Sequence, residues 1–342
     1  MRRLTIPVLT AALLTGFAAP AALGQSSAAP VYGVQLEGFD YPYPLKHYTF
    51  ASQGQDLSMG YMDVAPTGPA NGKVVVLLHG KNFCAATWEA TIGVLTGAGY
   101  RVIAPDQVGF CTSSKPVRYQ FSLAQLATNT RDLLRSLGVT KPIIMGHSMG
   151  GMLAIRYALT FPDGPDSVQK LLLVNPIGLE DWQFEGVPYA SIDSLYENEL
   201  KTSADSIKAY QLRFYYNGNW KPDYDRWVQM AAGLYNGPGK QQVAWNQAQT
   251  SEMIFTQPVV HELVRLRPPT VLFIGAKDRT APGANRADEE TRARLGNYAE
   301  LGRRAAKAIP NSTLVEFPAF GHSPQVEAPD DFHKALLEQL GR

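Results

Sequence analysis

The chain has 342 residues, of which 45% are hydrophobic and 18% charged, the balance of a globular protein with a sizeable core. Its net charge of +1 does not favour nucleic acid or an anionic surface as a partner. The 2 cysteines and 6 histidines show no zinc-site spacing, and we expect neither a metal nor a cofactor.

The N-terminus predicts an export signal. Arg2 and Arg3 precede an apolar stretch that ends near Ala19, and a small-residue segment follows before residue 25. This layout is typical of a cleaved signal peptide, so we assign residues 1–24 to the signal. The mature protein is then expected to be periplasmic or secreted, without a stable membrane anchor. The alternative is a membrane anchor, for which the apolar stretch is short and is interrupted by Pro7.

The next part of the chain alternates strand-like and helix-like patterns. Residues 47–52 and 57–64 alternate in polarity and predict a hairpin. Six short apolar runs predict strands buried on both faces, as in a parallel sheet covered by helices. These runs are residues 74–78, 102–104, 143–145, 171–174, 271–274 and 313–317. Helical patterns separate several of them, and the order predicts an α/β fold with a doubly wound sheet.

One long interval breaks this rhythm. Between the runs at 171–174 and 271–274 the patterns look helical, for example at residues 206–215 and 224–234, and four of the five tryptophans lie there. Crossover connections are usually much shorter. We therefore predict a helical cap at residues 179–267, inserted into a core formed by residues 25–178 and 268–342. The tryptophans are expected to fill the core of the cap, although some are equally suited to line a pocket.

The segment Gly146-His147-Ser148-Met149-Gly150 lies between a predicted strand and a predicted helix. A tight turn of this kind needs small residues around the serine, because its backbone is strained and its neighbours approach closely. The helix that follows favours negative charge at its N-terminus. Ser148 is therefore predicted to be a nucleophile. A glycine-rich helix start with a serine cap is the structural alternative.

A nucleophilic serine needs a base, and the base needs an orienting acid. The strand at 271–274 is followed by Asp278, and the strand at 313–317 is followed by His322. Because the ends of parallel strands meet at one edge of a sheet, we predict a triad of Ser148, Asp278 and His322. The competing acids are Glu180 and Asp181.

The remaining candidates fit less well. Asp106 follows a strand but precedes Ser148, and we expect it to hold its own loop by hydrogen bonds. His79 is expected to hold the loop after the first apolar run. His147 lies inside the turn and is expected to point away from Ser148.

These motifs resemble the α/β-hydrolase superfamily, in the branch with a helical cap after the sixth strand. The matching stretches are LLHGKNF, APDQVGF, GHSMGG, IGAKDRTAP and GHSP. The resemblance implies an eight-stranded, mostly parallel sheet. It also implies two backbone N–H groups that hold an oxyanion, one from Met149 after the nucleophile and one from Lys81 after His79-Gly80.

The resemblance implies an enzyme acting on a small molecule. Capped relatives with an aspartate at the turn, the dehalogenases and epoxide hydrolases, are disfavoured because Ser148 stands there. We expect hydrolysis of an ester through an acyl-enzyme on Ser148. The alternatives are a hydrolase of carbon–carbon bonds in dienone acids, and a binding protein that kept the hydrolase fold.

The resemblance also bears on the two cysteines. It places Cys84 and Cys111 five residues after the ends of two strands that are neighbours in this sheet. Neighbouring strands lie about 4.8 Å apart, within reach of disulfide geometry. In relatives a glycine often stands where Cys111 does. For an exported chain we therefore predict a Cys84–Cys111 disulfide.

Overall fold

The computed structural model of the protein describes residues 29–341, so the predicted signal peptide, residues 1–24, lies outside the described residues. None of the helices in this part of the chain has the length and apolar character of a membrane-spanning helix. The α-helices of this part are α1 Glu89–Gly97, α2 Leu123–Ser136, α3 Met149–Thr160, α4 Ile192–Glu199, α5 Ala204–Tyr210, α6 Asp225–Asn236, α7 Lys240–Thr256, α8 Glu289–Arg294, α9 Tyr298–Ala308, α10 Pro324–Glu327 and α11 Pro329–Leu340.

The strands of residues 29–341 form one eight-stranded sheet, as expected. They are β1 Leu45–Ser52, β2 Gln55–Val64, β3 Val74–Leu78, β4 Arg101–Pro105, β5 Ile143–His147, β6 Lys170–Val174, β7 Thr270–Gly275 and β8 Ser312–Phe317. Their order across the sheet is β1-β2-β4-β3-β5-β6-β7-β8. The pairs β1–β2 and β2–β4 are antiparallel, and β3 to β8 run parallel to one another. The doubly wound, mostly parallel sheet is therefore confirmed.

Both faces of the sheet are covered, which explains the continuous apolar runs. In β3, Val75 and Leu77 pack in the cluster on one face with residues of α1 and α11. Val76 and Leu78 pack in the cluster on the other face with residues of α2, α3 and α9. Because successive side chains point to opposite faces and neither face meets water, every position in such a strand has to be apolar.

Four helices, α4 to α7, occupy the interval between β6 and β7. The predicted helix at 206–215 is present, but its last part is a π-helical turn, Gln211–Tyr215, that continues α5. The predicted helix at 224–234 corresponds to α6. In the described chain, α4 and α5 bury no residue completely, whereas α6 and α7 bury several each. The inserted segment therefore consists of a well-buried pair of helices and a more exposed pair.

Helix α7 is fastened to the loop that follows β4. Five of its side chains donate hydrogen bonds to backbone carbonyl groups of residues 109–119. The donors are Gln242, Trp245, Asn246, Gln247 and Gln249. Each bond contributes about 1 kcal/mol when it replaces a bond to water, so the set fixes α7 firmly against the core.

The tryptophans of the inserted segment serve its packing. Trp182 and Trp227 are buried, and Trp220 packs on the same hydrophobic cluster. The indole N–H of Trp245 bonds to the carbonyl of Val117. Among the described residues, no tryptophan lines the cavity that opens over Ser148. The pocket alternative for these side chains is therefore wrong.

The two cysteines lie at disulfide distance, as the sequence predicts. Their Cα atoms are 5.8 Å apart, on the loops that follow the parallel neighbours β3 and β4. Cys84 and Cys111 are both buried, so the bond joins the two loops inside the protein.

We predict that replacing both Cys84 and Cys111 by alanine lowers the free energy of unfolding by about 3–4 kcal/mol, because the chain-entropy model gives that value for a loop of this length. Urea denaturation of the oxidised wild type and of the double variant measures the difference. The wild type under strong reductant should resemble the variant. A difference below about 0.5 kcal/mol would show that the pair does not brace the fold.

Glu180 anchors the start of the inserted segment. Its Oε1 accepts hydrogen bonds from the indole N–H of Trp182 at 3.1 Å and from the backbone N–H of Gly296 at 3.0 Å. Burial raises the pKa of this carboxyl group to about 7, against its ordinary value of 4.5. The hydrogen bonds favour the charged form but do not offset the loss of water around it.

We predict that Glu180 makes the protein less stable as pH rises. Because the folded pKa exceeds the unfolded one, the folded state holds the proton more tightly. The contribution of Glu180 to the free energy of unfolding is complete below pH 4.5 and is lost as pH rises through about 7. Its size is about 3 kcal/mol. Urea unfolding measures the free energy of unfolding at acidic and at mildly alkaline pH. The decrease in this free energy between the two pH values should be smaller for Glu180→Gln than for the wild type. Equal losses in the two proteins would contradict this role.

Candidate active site

Ser148 lies in a sharp turn between β5 and α3. Its backbone has φ 56° and ψ −120°, a strained conformation for a residue with a side chain. A Cβ atom on Gly146 would lie 2.1 Å from the carbonyl oxygen of Gly150, and one on Gly150 would lie 2.2 Å from that of Leu78. Only glycine fits at these two positions. The sequence pattern around Ser148 is therefore a direct consequence of the close backbone packing in this turn.

Asp278 and His322 are joined by a short hydrogen bond. Nδ1 of His322 lies 2.6 Å from Oδ2 of Asp278, and both side chains are wholly buried. Asp278 lies just beyond β7, and His322 lies in the loop after β8. Parallel strands thus bring together two residues that are 44 positions apart in the chain. A carboxylate only accepts hydrogen bonds, so Nδ1 carries the proton of this bond, and in the neutral ring Nε2 is then the nitrogen with the free lone pair.

Other groups hold Asp278 in place. Nδ2 of Asn175 donates to its Oδ2 at 2.9 Å, and the backbone N–H of Thr280 donates to its Oδ1 at 2.7 Å. Asn175 follows β6 and has a left-handed φ of 38°. Its Oδ1 also accepts from the N–H of Gly275, which links the ends of β6 and β7. Sequence reasoning missed Asn175, although its place directly after a buried strand was a usable signal.

The other ring nitrogen of His322 is free. Nε2 is buried and has no hydrogen-bond partner among residues 29–341. Ser148 is 4% exposed, and no hydrogen bond joins it to His322 in this structure. In unliganded sites such bonds are often long and shorten when a ligand arrives. The arrangement provides a serine hydroxyl and an oriented, unpartnered ring nitrogen at the same end of the sheet.

The π-helical turn of the inserted segment packs directly on His322. The carbonyl of Phe214 accepts the backbone N–H of His322 at 3.2 Å. The ring of Tyr215 lies 4.9 Å from the imidazole, measured between centroids. Nδ2 of Asn82 donates to the Tyr215 hydroxyl at 3.0 Å. Tyr215 therefore connects the histidine to the loop after β3, a role that no sequence pattern indicated.

The two predicted oxyanion donors lie beside Ser148. Met149 is the first residue of α3, so its N–H has no acceptor within the helix. A Cβ on Gly80 would lie 3.0 Å from Cβ of Ser148, which shows how closely the loop carrying Lys81 approaches the serine. The backbone N–H of Lys81 donates to no group in the described part of the chain.

The side chain of Lys81 reaches into the inserted segment. Its Nζ bonds to Oε1 of Glu199 at 2.9 Å and to Oε1 of Gln247 at 3.1 Å. The hydroxyl of Tyr235 donates to the second oxygen of Glu199 at 2.6 Å. These groups are mostly buried, so the loop after β3 is tied to α4 and α7 by charged and polar bonds.

The other histidines have structural partners. Nδ1 of His79 bonds to the carbonyl of Gly80 at 2.9 Å within the loop after β3, as expected, and its Nε2 accepts the N–H of Gln107 at 3.0 Å, which joins this loop to the one after β4. Nε2 of His147 bonds to the carbonyl oxygen of His322 at 2.9 Å. Burial, and then the nearby His322, hold the pKa of His147 well below its ordinary value, so the ring is neutral. His147 thus supports the backbone of His322.

The competing acids lie elsewhere. Asp106 accepts hydrogen bonds from the backbone N–H of Ala85 at 2.7 Å and from Thr112, so it holds the loops, as expected. Glu180 bonds to Trp182 and Gly296, and Asp181 bonds to His261 at 2.9 Å. In residues 29–341 only Asp278 bonds to Nδ1 of His322.

One group of side chains has the residue types of a metal site. Cys84, Asp106 and Cys111 lie within 4.8 Å of one another, the one such group found in the described chain. The two sulfur atoms are bonded to each other, and the carboxylate already accepts several hydrogen bonds. A disulfide offers no thiolate, so this group does not fit a metal ion.

A cavity of about 390 Å³ opens over Ser148. This volume is within the range of small-molecule pockets. The loops after β3 and β4 form one side, and α4 to α7 form the other. The apolar part of its lining includes Phe110, Ile177, Met230, Leu234, Ile254 and Phe255. The polar part includes the Lys81–Glu199 pair, whose charges are already matched.

Comparisons with known proteins agree with this fold. The family model of the α/β hydrolase fold matches residues 73–329. The crystal structure of a probable hydrolytic enzyme from Pseudomonas aeruginosa is 61% identical, with a TM-score of 0.89, over 91% of this chain and 98% of that chain.

More distant similarities extend to named hydrolases. A 2-hydroxy-6-oxo-6-phenylhexa-2,4-dienoate hydrolase of Burkholderia cepacia is 26% identical over 79% of this chain and 88% of its own length. An esterase of Exiguobacterium antarcticum is 21% identical with a TM-score of 0.65, over 84% of this chain and 96% of its own, a likeness of fold. With a family model that matches most of its length, the chain belongs to the α/β-hydrolase family.

Proposed function

We propose that the protein is a serine hydrolase that cleaves a carboxylic ester of a small organic molecule through an acyl-enzyme on Ser148. The observation that carries this proposal is the 2.6 Å bond from His322 to Asp278, which leaves Nε2 of His322 unpartnered at the end of the sheet where Ser148 lies. A histidine held in this way is a general base for a serine hydroxyl.

The proposed reaction has two halves. Nε2 of His322 takes the proton of the Ser148 hydroxyl while Oγ bonds to the carbonyl carbon. The carbon–oxygen bond to the alcohol then breaks, and the alcohol leaves with that proton. In the second half His322 takes a proton from water, the hydroxide attacks the acyl-enzyme, and Ser148 regains its proton as the acid departs.

The backbone N–H groups of Lys81 and Met149 are proposed to hold the negative oxygen of each tetrahedral intermediate. Loss of one such donor typically costs about 3 kcal/mol of transition-state stabilisation. The ion pair between the Lys81 side chain and Glu199 fixes the loop that carries one donor. Neither step requires a metal or a cofactor.

A second candidate is cleavage of a carbon–carbon bond in a dienone acid. It is favoured by the similarity to the dienoate hydrolase of Burkholderia cepacia. The ester reaction is preferred because the charge of Lys81, on the loop beside the serine, is matched by Glu199, so this lysine is not free to bind a substrate carboxylate. The proposed substrate is therefore uncharged where it contacts this pair.

We also propose that the protein works outside the cytoplasm, in the periplasm or the surrounding medium. The support is the signal-like sequence of residues 1–24 together with the disulfide pair, since disulfides persist in oxidising compartments. The proposed partner is a small-molecule substrate and not nucleic acid.

We predict that Ser148→Ala lowers kcat for a nitrophenyl ester by at least about ten-thousand-fold, because the nucleophile is lost while the fold remains. Steady-state kinetics of the purified variant measure this. The control is Ser136→Ala, since the Ser136 hydroxyl bonds within α2 and lies outside the cavity. Activity of Ser148→Ala close to that of the wild type would refute the assignment.

We predict that simple alkyl esters are better substrates than dienone acids. Initial rates for both classes at equal concentration decide between the two candidates. A fluorophosphonate probe should label Ser148 in either case, which mass spectrometry of the labelled peptide would show. Labelling without turnover of either class would instead support a binding protein.

A further inference from the structure

Gln211 is a buried amide without a partner. It is the first residue of the π-helical turn, its exposed fraction is 0%, and it lines the cavity above Ser148. Neither Oε1 nor Nε2 has a hydrogen-bond partner among residues 29–341. An amide that is removed from water and left unbonded is costly, so native proteins rarely keep one without a use for it.

Other buried amides in the same protein are bonded. Asn175, equally buried, makes three hydrogen bonds. Gln247, which also lines the cavity, accepts from Lys81 and donates to the carbonyl of Gly109. Gln107, Asn246 and Gln325 each leave one amide atom unbonded, but in the described chain only Gln211 leaves both unbonded, and it lines the cavity.

A second unpartnered group lines the same cavity. The hydroxyl of Thr280 is buried, and its Oγ1 has no hydrogen-bond partner in the described part of the chain. Thr280 lies two residues after Asp278, and its own backbone N–H bonds to that carboxylate. Gln211 and Thr280 together offer the cavity both donors and acceptors of hydrogen bonds.

The local backbone explains how Gln211 comes to face the cavity. The N–H of Tyr216 bonds to the carbonyl of Gln211 at 3.0 Å, the wide hydrogen bond of a π-helical turn. π-helical turns are rare in proteins, and those that do occur often lie at functional sites. This turn brings Gln211 and Tyr215 to the cavity together, and Tyr215 packs on His322.

From these observations we propose that Gln211 and Thr280 form a subsite that binds a hydroxyl or amide group on the alcohol part of the substrate. The inference rests on the proposed ester hydrolysis. The alcohol part is indicated because His322 has to protonate the departing alcohol. Thr280 bonds to Asp278 through its backbone N–H, and Gln211 begins the turn whose Tyr215 packs on His322. A neutral group is indicated because a carboxylate would be repelled by the nearby Asp278.

The substrate class is therefore an ester of a polyol or of a hydroxy amide, and not of a plain alkyl alcohol. When such a substrate enters, its hydroxyl or amide group forms hydrogen bonds with the amide of Gln211 and the hydroxyl of Thr280. A hydrocarbon of the same shape leaves both unbonded, and a site of this kind discriminates against it.

Acetate esters test the proposal, because every one of them forms the same acetyl-enzyme and differs only in the alcohol. One pair is the monoacetate of a short diol and the alkyl acetate in which a methyl group replaces the free hydroxyl. The second pair is an acetoxyalkanamide and the branched alkyl acetate of the same shape. Acid release at constant pH gives kcat/KM for each ester over a series of chain lengths.

We expect the wild type to prefer the polar member of at least one pair by about tenfold or more in kcat/KM, the value of two neutral hydrogen bonds. Gln211→Met, which keeps the length of the side chain, should bring that ratio close to one, and Thr280→Val should lower it. The control Gln107→Met should keep the ratio, because Gln107 is a buried glutamine with an unpartnered Nε2 that lies outside the cavity lining.

The outcomes separate the two proposals. If the wild type hydrolyses none of the acetates nor a nitrophenyl ester, the proposed function fails. If it hydrolyses them without preference, or keeps the preference in Gln211→Met, the subsite is refuted and the hydrolase stands. Binding of the same pairs to Ser148→Ala by calorimetry gives the preference without turnover. Gln211→Met could also have a lower urea midpoint and an equal loss of kcat/KM for both esters of each pair. That result would show a purely structural role for Gln211 and would also refute the subsite.

Discussion

The hydrogen bond between His322 and Asp278 is the interaction around which the site is built. Both side chains are removed from water, so the carboxylate depends on protein donors for stabilisation. Asn175 and the backbone N–H of Thr280 provide them. These groups come from the ends of β6, β7 and β8, and a bond of 2.6 Å between them requires those strand ends to be held in register.

The inserted segment is part of this machinery as well as a cover over it. Phe214 and Tyr215 support His322, and Glu199 holds the side chain of Lys81. Helix α7 is bonded along its length to the loop after β4, while α4 and α5 are more exposed. The exposed pair is thus the part of the segment with the least burial to resist displacement when substrate enters.

Much of the site was predictable because each signal is local. The turn around Ser148 admits only glycine at two positions, so its pattern is visible in the sequence. Asp278 and His322 stand in the loops that follow apolar runs, and parallel strands carry such loops to one edge of the sheet. Asn175 stands in a similar place, but an amide fits many structural roles and its type alone did not point to Asp278. His147 was expected only to point away from Ser148. Its bond to the carbonyl of His322 was not predicted.

The sequence by itself determined the mostly parallel sheet, the place of the inserted helices and the identity of the candidate nucleophile, because periodicity and tight turns restrict residue types within a few positions. Only the tertiary structure decided that Tyr215 packs on His322, that Lys81 pairs with Glu199 and that Gln211 faces the cavity without a partner. A glutamine in a helical pattern looks like any solvent-exposed residue. Its burial and its missing hydrogen bonds depend on what the distant parts of the chain bring against it, which no local pattern records.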